Sequence, residues 1–364
     1  MKFSISKTAF QEALQVVQGV VSLRSTLPIL SNVLIKADKK HLTLTTTDLD
    51  VSMRCNVDAT IKSSGATSLP VRRLLSIVRE LPEGNVDVEV DDKNAATIKA
   101  GAAFFKIMGL SEDEFPPSPT VEGGTAHGMA QASLRDMFRK TSYAVSTDET
   151  RRVLNGVHLS FRGDKLTMVA TDGRRLALVE HAIDVPDKSE KDMIIPSKAV
   201  KELVHVLKDE GDAQLHVLDK QVAVECANVL MVCKLIEGNY PNFRQVVPSQ
   251  CEERVTVERE SLLVALRRVS LLTTDKANSV RLTFAKNKIE ISTVTPDVGE
   301  AREAIPIKYS GKQISVAFNP EYVMDPLRNM DDDEIFFELV DDLSPGVIKC
   351  ASPFVYVLMP MRIS

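Results

Sequence analysis

The chain has 364 residues, 44% hydrophobic and 26% charged, with a net charge of −5, six histidines and five cysteines. That length holds two or three domains with their own cores, in a composition typical of globular proteins. No run reaches the ~18 apolar residues of a membrane span, MKFSISKTAF lacks a signal-peptide core, and the acidic balance argues against coating nucleic acid with the whole surface. Cys55, Cys226, Cys233, Cys251 and Cys350 form no CxxC pair and the histidines no HExxH. This argues against a disulfide framework or a zinc site and points to a reducing cytoplasm, with no cofactor or metal.

In chain order, KTAFQEALQVVQGVV places Phe10, Leu14 and Val17 on one helical face. NVLIKA and HLTLTTTDLDVSMRCNV then alternate apolar and polar residues, the pattern of half-buried antiparallel strands. Pro70 opens the helical VRRLLSIVREL at a first-turn position, where its missing N–H costs nothing, and VDVEV and ATIKA follow. FPPSPTVEGGTAHG (115–128) reads as a linker. The order then recurs. SLRDMFRKTSYAV carries Leu134, Met137 and Phe138, with Ser133 as its N-cap; GVHLSF, KLTMVATD and RLALVEHAI are strands. Pro196 opens SKAVKELVHVL, and AQLHVL and VAVEC follow. After a second join at VVPSQCEER (246–254) comes ESLLVALRRVSLL, with Ser261 as N-cap and Leu262, Leu263, Leu266 and Val269 on its stripe. SVRLTFA, KIEISTV, the Pro320 helix EYVMDPLRNM, EIFFELV and VIKCA complete the chain.

The same plan is thus written three times. Thr47-Asp48, Thr171-Asp172 and Thr295-Pro296-Asp297 end a strand-like run in each copy, and Pro70, Pro196 and Pro320 open the second helix. The copies predict an α+β chain of three tandem domains, 1–125, 126–250 and 251–364, each a sheet with two helices on one side.

Charge is not spread evenly. The six helical segments together carry +8 within a chain of −5, leaving −13 elsewhere. Arg72, Arg73, Arg79, Arg135, Arg139, Lys140, Lys198, Lys201, Arg267 and Arg268 concentrate where outward helical faces are expected. Solvated helix faces ordinarily carry such residues. Five net-positive segments of six in an acidic protein favour a surface that meets phosphates without reading sequence. No recognition-helix or aromatic-platform signature accompanies it.

The residues also resemble a known family. MKFSI at the start, TLPILSNVLI (26–35), TDLD (47–50), LPEG (81–84), RVLNGV (152–157), VATDGRRLAL (169–178), YPNFRQVVP (240–248) and YVLMPMR (356–362) are similar, in order and spacing, to bacterial DNA polymerase III β subunits, the replicative sliding clamps. The resemblance implies three DNA-clamp domains per chain and a head-to-tail homodimer closing a ring of six. It implies a non-catalytic processivity factor that encircles double-stranded DNA and tethers DNA polymerase III through its α subunit. A clamp loader, other polymerases and repair proteins carrying clamp-binding peptides would be further partners. The basic helices would line the hole, with Arg24, Arg72, Arg73, Arg135, Arg139, Lys198 and Lys201 as DNA contacts. Phe105 and Ile107 of one chain would pack on Leu271 and Leu272 of the other, joining two sheet edges.

Carried over residue by residue, the family's peptide pocket has a hydrophobic half of Leu154, Thr171, Gly173, Arg174, Arg175, Leu176, Pro241, Val246, Val357, Met359, Pro360, Met361 and Arg362. Arg151, Val153, Asn319, Tyr322 and Leu343 form its neighbouring part. Methionines beside Leu and Val suit a groove that accepts several related sequences. Val153, Gln245 and Pro345 depart from the residues relatives often carry, which bears on the second subsite.

Two other readings compete. A Mg²⁺-dependent nuclease could use Asp48, Asp50 and Asp172, but these belong to one turn repeated in separate domains, and no P-loop or nucleophile elbow is present. Asp331-Asp332-Asp333-Glu334 reads as a solvated loop. The alternative from another class is a peptide-binding scaffold that does not encircle DNA, against which the basic helices speak.

Overall fold

The computed structural model describes residues 1–22, 27–39, 41–183, 190–248, 252–275 and 277–362. Residues 1–135 with 198–235 form one compact unit, and 136–197 with 236 onward form a second. Repeat 2 therefore contributes to both.

Unit 1 holds two sheets. The smaller runs Thr60–Ser63, Lys2–Ser6, Asn85–Val90, Ala95–Ala100, Ala103–Met108. The larger has eight strands in the order Thr125–Ala130, Asp212–Val217, Gln221–Cys226, Val229–Lys234, Val51–Val57, Leu42–Thr47, Asn32–Ala37, Gly65–Pro70. Unit 2 repeats the scheme. Its eight-stranded sheet runs Lys191–Pro196, Gly156–Arg162, Lys165–Thr171, Arg175–Ala182, Phe354–Leu358, Gly346–Lys349, Glu334–Leu339, Glu253–Glu258. Its four-stranded sheet runs Gly299–Pro306, Lys288–Thr295, Val280–Ala285, Ile314–Phe318.

One sheet per repeat, the sequence expectation, is incorrect. Each repeat divides its strands between two sheets, and each eight-stranded sheet takes four strands from one repeat and four from the next. Alternation fixes which face of a strand is buried but not which strand completes its edge. Here the Val51–Val57 edge pairs with Val229–Lys234, and Arg175–Ala182 with Phe354–Leu358, so these backbone donors and acceptors are satisfied across repeats.

Six α-helices among the described residues lie close to where periodicity puts them: α1 (Lys7–Gln18), α2 (Val71–Glu80), α3 (Gln131–Thr141), α4 (Ser197–Val206), α5 (Arg259–Val269) and α6 (Pro320–Arg328). α1 buries Phe10, Ala13, Leu14 and Val17, and α2 buries Val71, Leu74, Leu75 and Val78. Each such side chain contributes about 1.5–3 kcal/mol by leaving water. Phe10 is fully buried and meets Phe3 edge-on at 6.1 Å; truncation to alanine there would cost about 3–5 kcal/mol.

The expected serine caps are corrected. Ser6 does cap α1 by accepting from the Ala9 amide at 3.2 Å, but Ser133 and Ser261 lie inside the first turns of α3 and α5. A different device starts these helices. Lys7 N–H donates to Gly84 O (2.8 Å), Gln131 N–H to Gly211 O (2.9 Å) and Arg259 N–H to Asp333 O (2.8 Å). In each repeat, the loop after the second helix satisfies the first amide of the first helix. The prolines also differ from expectation. Pro320 takes the first turn of α6 behind an Asn319 cap, whereas Pro70 and Pro196 end strands one residue before α2 and α4. The first join is shorter than read, because Thr125–Ala130 is a strand and Phe115 is buried. In the second join, 249–251 lie outside the described residues.

The recurring Thr turn is one hydrogen-bonded unit in two copies. Thr47 Oγ1 accepts from Leu49 N–H (3.0 Å) and donates to Val51 O (3.1 Å), while Asp48 Oδ1 accepts from the amides of Asp50 (3.0 Å) and Val51 (2.7 Å). Thr171 and Asp172 make the same bonds with Gly173, Arg174 and Arg175. The third residue is left-handed in both, with φ of 79° at Leu49 and 87° at Gly173. In the third copy Pro296 occupies the aspartate's place, the acid shifts to the left-handed position (Asp297, φ 64°), and Thr295 Oγ1 is buried without a partner.

Candidate functional site

A patch on one face of the eight-stranded sheet of unit 2 is apolar. The period of two turns Val169, Leu176, Val347 and Val357 to one side, and cross-strand pairing brings Leu176 opposite Val357 and Val347 opposite Val357. These four are buried, with Leu178, Val355, Tyr240, Phe243 and Val247 packed against them. Tyr240 stacks on His158, with ring centroids 4.8 Å apart. Burial lowers the His158 pKa below its usual 6.5, partly opposed by Asp192, so this imidazole is neutral at pH 7.

Around this floor sit apolar side chains that water reaches. Val246 is 43% exposed, Met359 43% and Met361 39%. Backbone bonds hold the C-terminal segment open: Met359 N–H donates to Arg174 O (2.9 Å) and Met361 N–H to Ala317 O (2.8 Å). Pro241 and Arg362 are exposed, Pro360 is half-buried, and Leu154 is buried. Leu343 is exposed on a turn whose amides bond Asp341.

The Thr171–Arg175 turn stands at one end. Glycine suits the positive φ of 87° at position 173, and a Cβ there would come within 3.0 Å of Arg151 Nη1, which itself donates to Asp172 O at 3.2 Å. Val153 lies against Gly238, where a Cβ would approach within 2.7 Å. Arg175 is not available to a ligand in this arrangement. Its guanidinium donates to Asp172 (3.1 Å), to Tyr143 O (2.6 Å) and to Asp325, and lies 4.3 Å from the Tyr322 ring centre. It braces the turn and α6 instead. Asn319 Oδ1 caps α6 by accepting from the Glu321 amide at 2.9 Å. All the expected groove residues fall in unit 2. The sequence reading missed Val169, Leu178, Val347, Val355, Tyr240, Phe243 and Val247, although strand alternation counted from Thr171 and from Leu176 would have found the first two.

The basic residues divide into held and free. Arg135 pairs with Asp209, Arg139 with Asp331 and Asp136, and Arg268 with Glu303. Lys198 pairs with Asp48 and donates to Val20 O at 2.7 Å; Arg72 donates to Val21 O at 3.3 Å. Arg73 and Lys201 are exposed and have no ion-pair partner among the described residues. Lys140, expected to face outward, is buried at 7% and bonded to Asp136 (2.7 Å) and to Ser352 (3.3 Å) of the turn before Phe354–Leu358. Arg24 lies outside the described residues.

Ala103–Met108 is an edge strand in unit 1. Phe105 is 37% exposed and Ile107 buried, while Phe104 (60%) and Met108 (64%), which the sequence reading missed, project from it. In unit 2, Leu271 is 80% exposed in a short 3₁₀ turn with half-buried Leu272. Cys55, Cys226, Cys233 and Cys350 are free and buried, and burial pushes the Cys55 thiol up to about 11. Cys251 is outside the described residues, among which no cluster of three metal-ligating side chains exists.

Models of the DNA polymerase III beta subunit match in succession: the N-terminal domain over residues 1–119, the central domain over 128–242 and the C-terminal domain over 244–362. The beta sliding clamp of Chlamydia muridarum is 34% identical over 363 residues, spanning 100% of this chain and 99% of its own. The chain belongs to the DNA polymerase III beta subunit family. It is a replicative sliding clamp, a processivity factor and not an enzyme. The crystal structure of the Bacillus subtilis sliding clamp superposes with a TM-score of 0.93 at 31% identity, and that of Pseudomonas aeruginosa bound to griselimycin with 0.94 at 30%, each over 100% of both chains. These likenesses support the sliding-clamp reading over the nuclease and the scaffold that never encircles DNA. Among the described residues, no helix is long and apolar enough to cross a membrane.

Proposed function

We propose that two copies of this clamp close head to tail around duplex DNA, each chain contributing domains 1–125, 126–250 and 251–364. The exposed edge strand with Phe105 and Ile107 meets Leu271 and Leu272 of the second copy, burying apolar surface that a lone chain leaves in water. Arg24, Arg72, Arg73, Arg135, Arg139, Lys198 and Lys201 face phosphates. The groove of unit 2 takes Leu- and Phe-bearing peptides from the α subunit of DNA polymerase III, the clamp loader, other polymerases and repair proteins, in the cytoplasm and with no cofactor.

The observation that carries the peptide reading is the apolar floor at Leu176 and Val357, surrounded by accessible Val246, Met359 and Met361. Such a floor, with mobile thioethers beside it, binds apolar side chains of varied shape. The test is retention after loader-assisted assembly, on nicked circles and on the same molecules linearised, at moderate salt. Loss from linear DNA alone means topological tethering. Equal retention on both means ordinary electrostatic binding. No retention on either, where a known clamp loads normally, leaves the scaffold reading.

A further inference from the structure

The two arginines of α3 that are candidates for DNA are each held by a carboxylate from a particular place. Arg135 pairs with Asp209, in the loop after α4, and its Nη1 donates to Leu207 O at 3.3 Å. Arg139 pairs with Asp331, in the loop after α6, through both Nη atoms, and its Nη2 also donates to Asp136 on α3 itself at 3.2 Å, a contact that remains when only the loop acid is neutralised. Each aspartate sits two residues before the loop carbonyl that receives the first amide of a helix, Gly211 O for α3 and Asp333 O for α5. The loops are therefore pinned by backbone, and their acids are presented in a fixed position. In repeat 1 the corresponding residue, two before Gly84, is Pro82, which carries no charge.

The two aspartates are strongly exposed, at 81% and 79%, while their arginines are about one-third exposed. Neither carboxylate holds the fold together through a buried network. Asp331 occupies the Arg139 donors with two oxygens on one centre, the way a phosphate would, and Asp209 takes one Nη of Arg135. Arg139 in turn holds the Asp331 carboxyl below its usual range, so the acid stays charged at any pH where DNA is duplex.

We propose that Asp209 and Asp331 are built-in competitors for DNA phosphate: they withhold Arg135 and Arg139 from the duplex and so set how weakly this clamp grips what it surrounds. The inference rests on the reading that α3 faces DNA. On that reading, Arg73 and Lys201 supply the attraction, and the held arginines engage phosphate only by displacing an acid. An exposed ion pair is weak, so exchange between acid and phosphate is low in cost in both directions. A ring retained by topology gains from this, because each contact that forms is readily broken as the ring moves.

The test measures binding of the full-length clamp to a short labelled duplex across a salt series, for the Asp209→Asn/Asp331→Asn variant. The control, Asp87→Asn/Glu89→Gln, makes the same charge change on the five-stranded sheet and frees Lys62 and Lys2 there. The carboxylate variant is expected to bind about tenfold tighter, roughly threefold per freed arginine, and the control less than about twofold. The slope of log K against log salt is expected to steepen by about 0.9 for each freed arginine. Equal affinity and slope in variant and control overturn the proposal. Arg73→Ala and Lys201→Ala are measured alongside to separate the two ideas. If they weaken binding while the carboxylate variant matches its control, the competitor role fails and the DNA-facing helices stand. If they change nothing and the carboxylate variant also matches its control, the DNA-facing reading itself has failed.

Discussion

The eight-stranded sheets of the two units present the same backbone and opposite chemistry. Thr45 pairs with Arg54 as Val169 pairs with Leu178; Ser52 faces Val232 as Leu176 faces Val357; Ala223 faces Val232 as Val347 faces Val357. Even the rims agree, with Lys234 N–H donating to Asp50 O at 2.9 Å as Met359 N–H donates to Arg174 O at 2.9 Å. Yet unit 1 puts hydroxyls and a guanidinium where unit 2 puts aliphatic side chains, and a Lys234–Asp50 ion pair where unit 2 has an accessible Met359. Ser118 and Pro119 also lie beside Thr45, Ser52, Arg54, Leu230 and Val232 on the unit 1 face. A peptide leucine would gain about 1.5–3 kcal/mol on the unit 2 face, and on the unit 1 face would strip water from Arg54 without replacing it. Fold alone does not make the groove; about five side chains do.

The comparison can be broken most directly by moving charge onto the apolar face. Leu176→Asp is expected to weaken a Leu/Phe-bearing peptide by at least about 100-fold in fluorescence anisotropy, since a buried unpaired carboxylate costs several kcal/mol. Loader-assisted loading onto circular DNA should fall with it, because the clamp loader is proposed to use the same groove. Undiminished peptide binding would move the site elsewhere. Calorimetry should next find a single peptide per chain in the native protein. Joining Thr45→Val, Ser52→Leu, Arg54→Leu and Lys234→Met should add a second, weaker site, and two sites before any substitution would undo the asymmetry.

The turns offer a subtler contrast. Gly173→Ala should lower the thermal transition by an amount equivalent to about 1 kcal/mol, because an alanine at φ 87° is strained and meets Arg151. At the matching position in unit 1, Leu49→Gly relieves φ 79° and should destabilise less or stabilise slightly; equal losses at both would contradict the shared geometry. The smallest effect concerns pH. His158 stands where unit 1 has Leu34, and its pKa is lowered by burial. The unfolded chain therefore binds the proton more readily, so stability present above pH 6.5 is lost as pH falls below it. Protection of the amides of residues 240–247, taken relative to the intrinsic exchange rate at each pH, should fall between pH 7 and pH 5.5, and His158→Phe should remove that fall.

Much of this was legible in the residues. The apolar stripes of α1, α3 and α5, the Thr turn and the spacing of the copies follow from periodicities that local geometry enforces. The motifs YPNFRQVVP and YVLMPMR led to the groove through resemblance. What stayed hidden was set by contacts distant in sequence. Nothing in SVRLTFA or RLALVEHAI says which sheet completes its edge, and nothing in RDMFRK separates Lys140, buried, from Arg139, held by an acid 192 residues away. Leu49 gave no sign of a left-handed backbone because leucine has no preference for one; the matching glycine in repeat 2 was the only clue. Ser133 and Ser261 misled because a distant loop carbonyl had taken the capping role.

The sharing of sheets between repeats has a consequence for how such a chain is cut or inherited. What was duplicated is a stretch of about 124 residues, but what holds together is a pair of neighbouring stretches stitched through a common sheet. A fragment ending at the first join would strand Val51–Val57 with one bare margin, inviting association with its own kind. A gene encoding a single copy would therefore not have yielded a self-sufficient product of this form: the margin needs a neighbour, whether supplied by fusion or by another molecule.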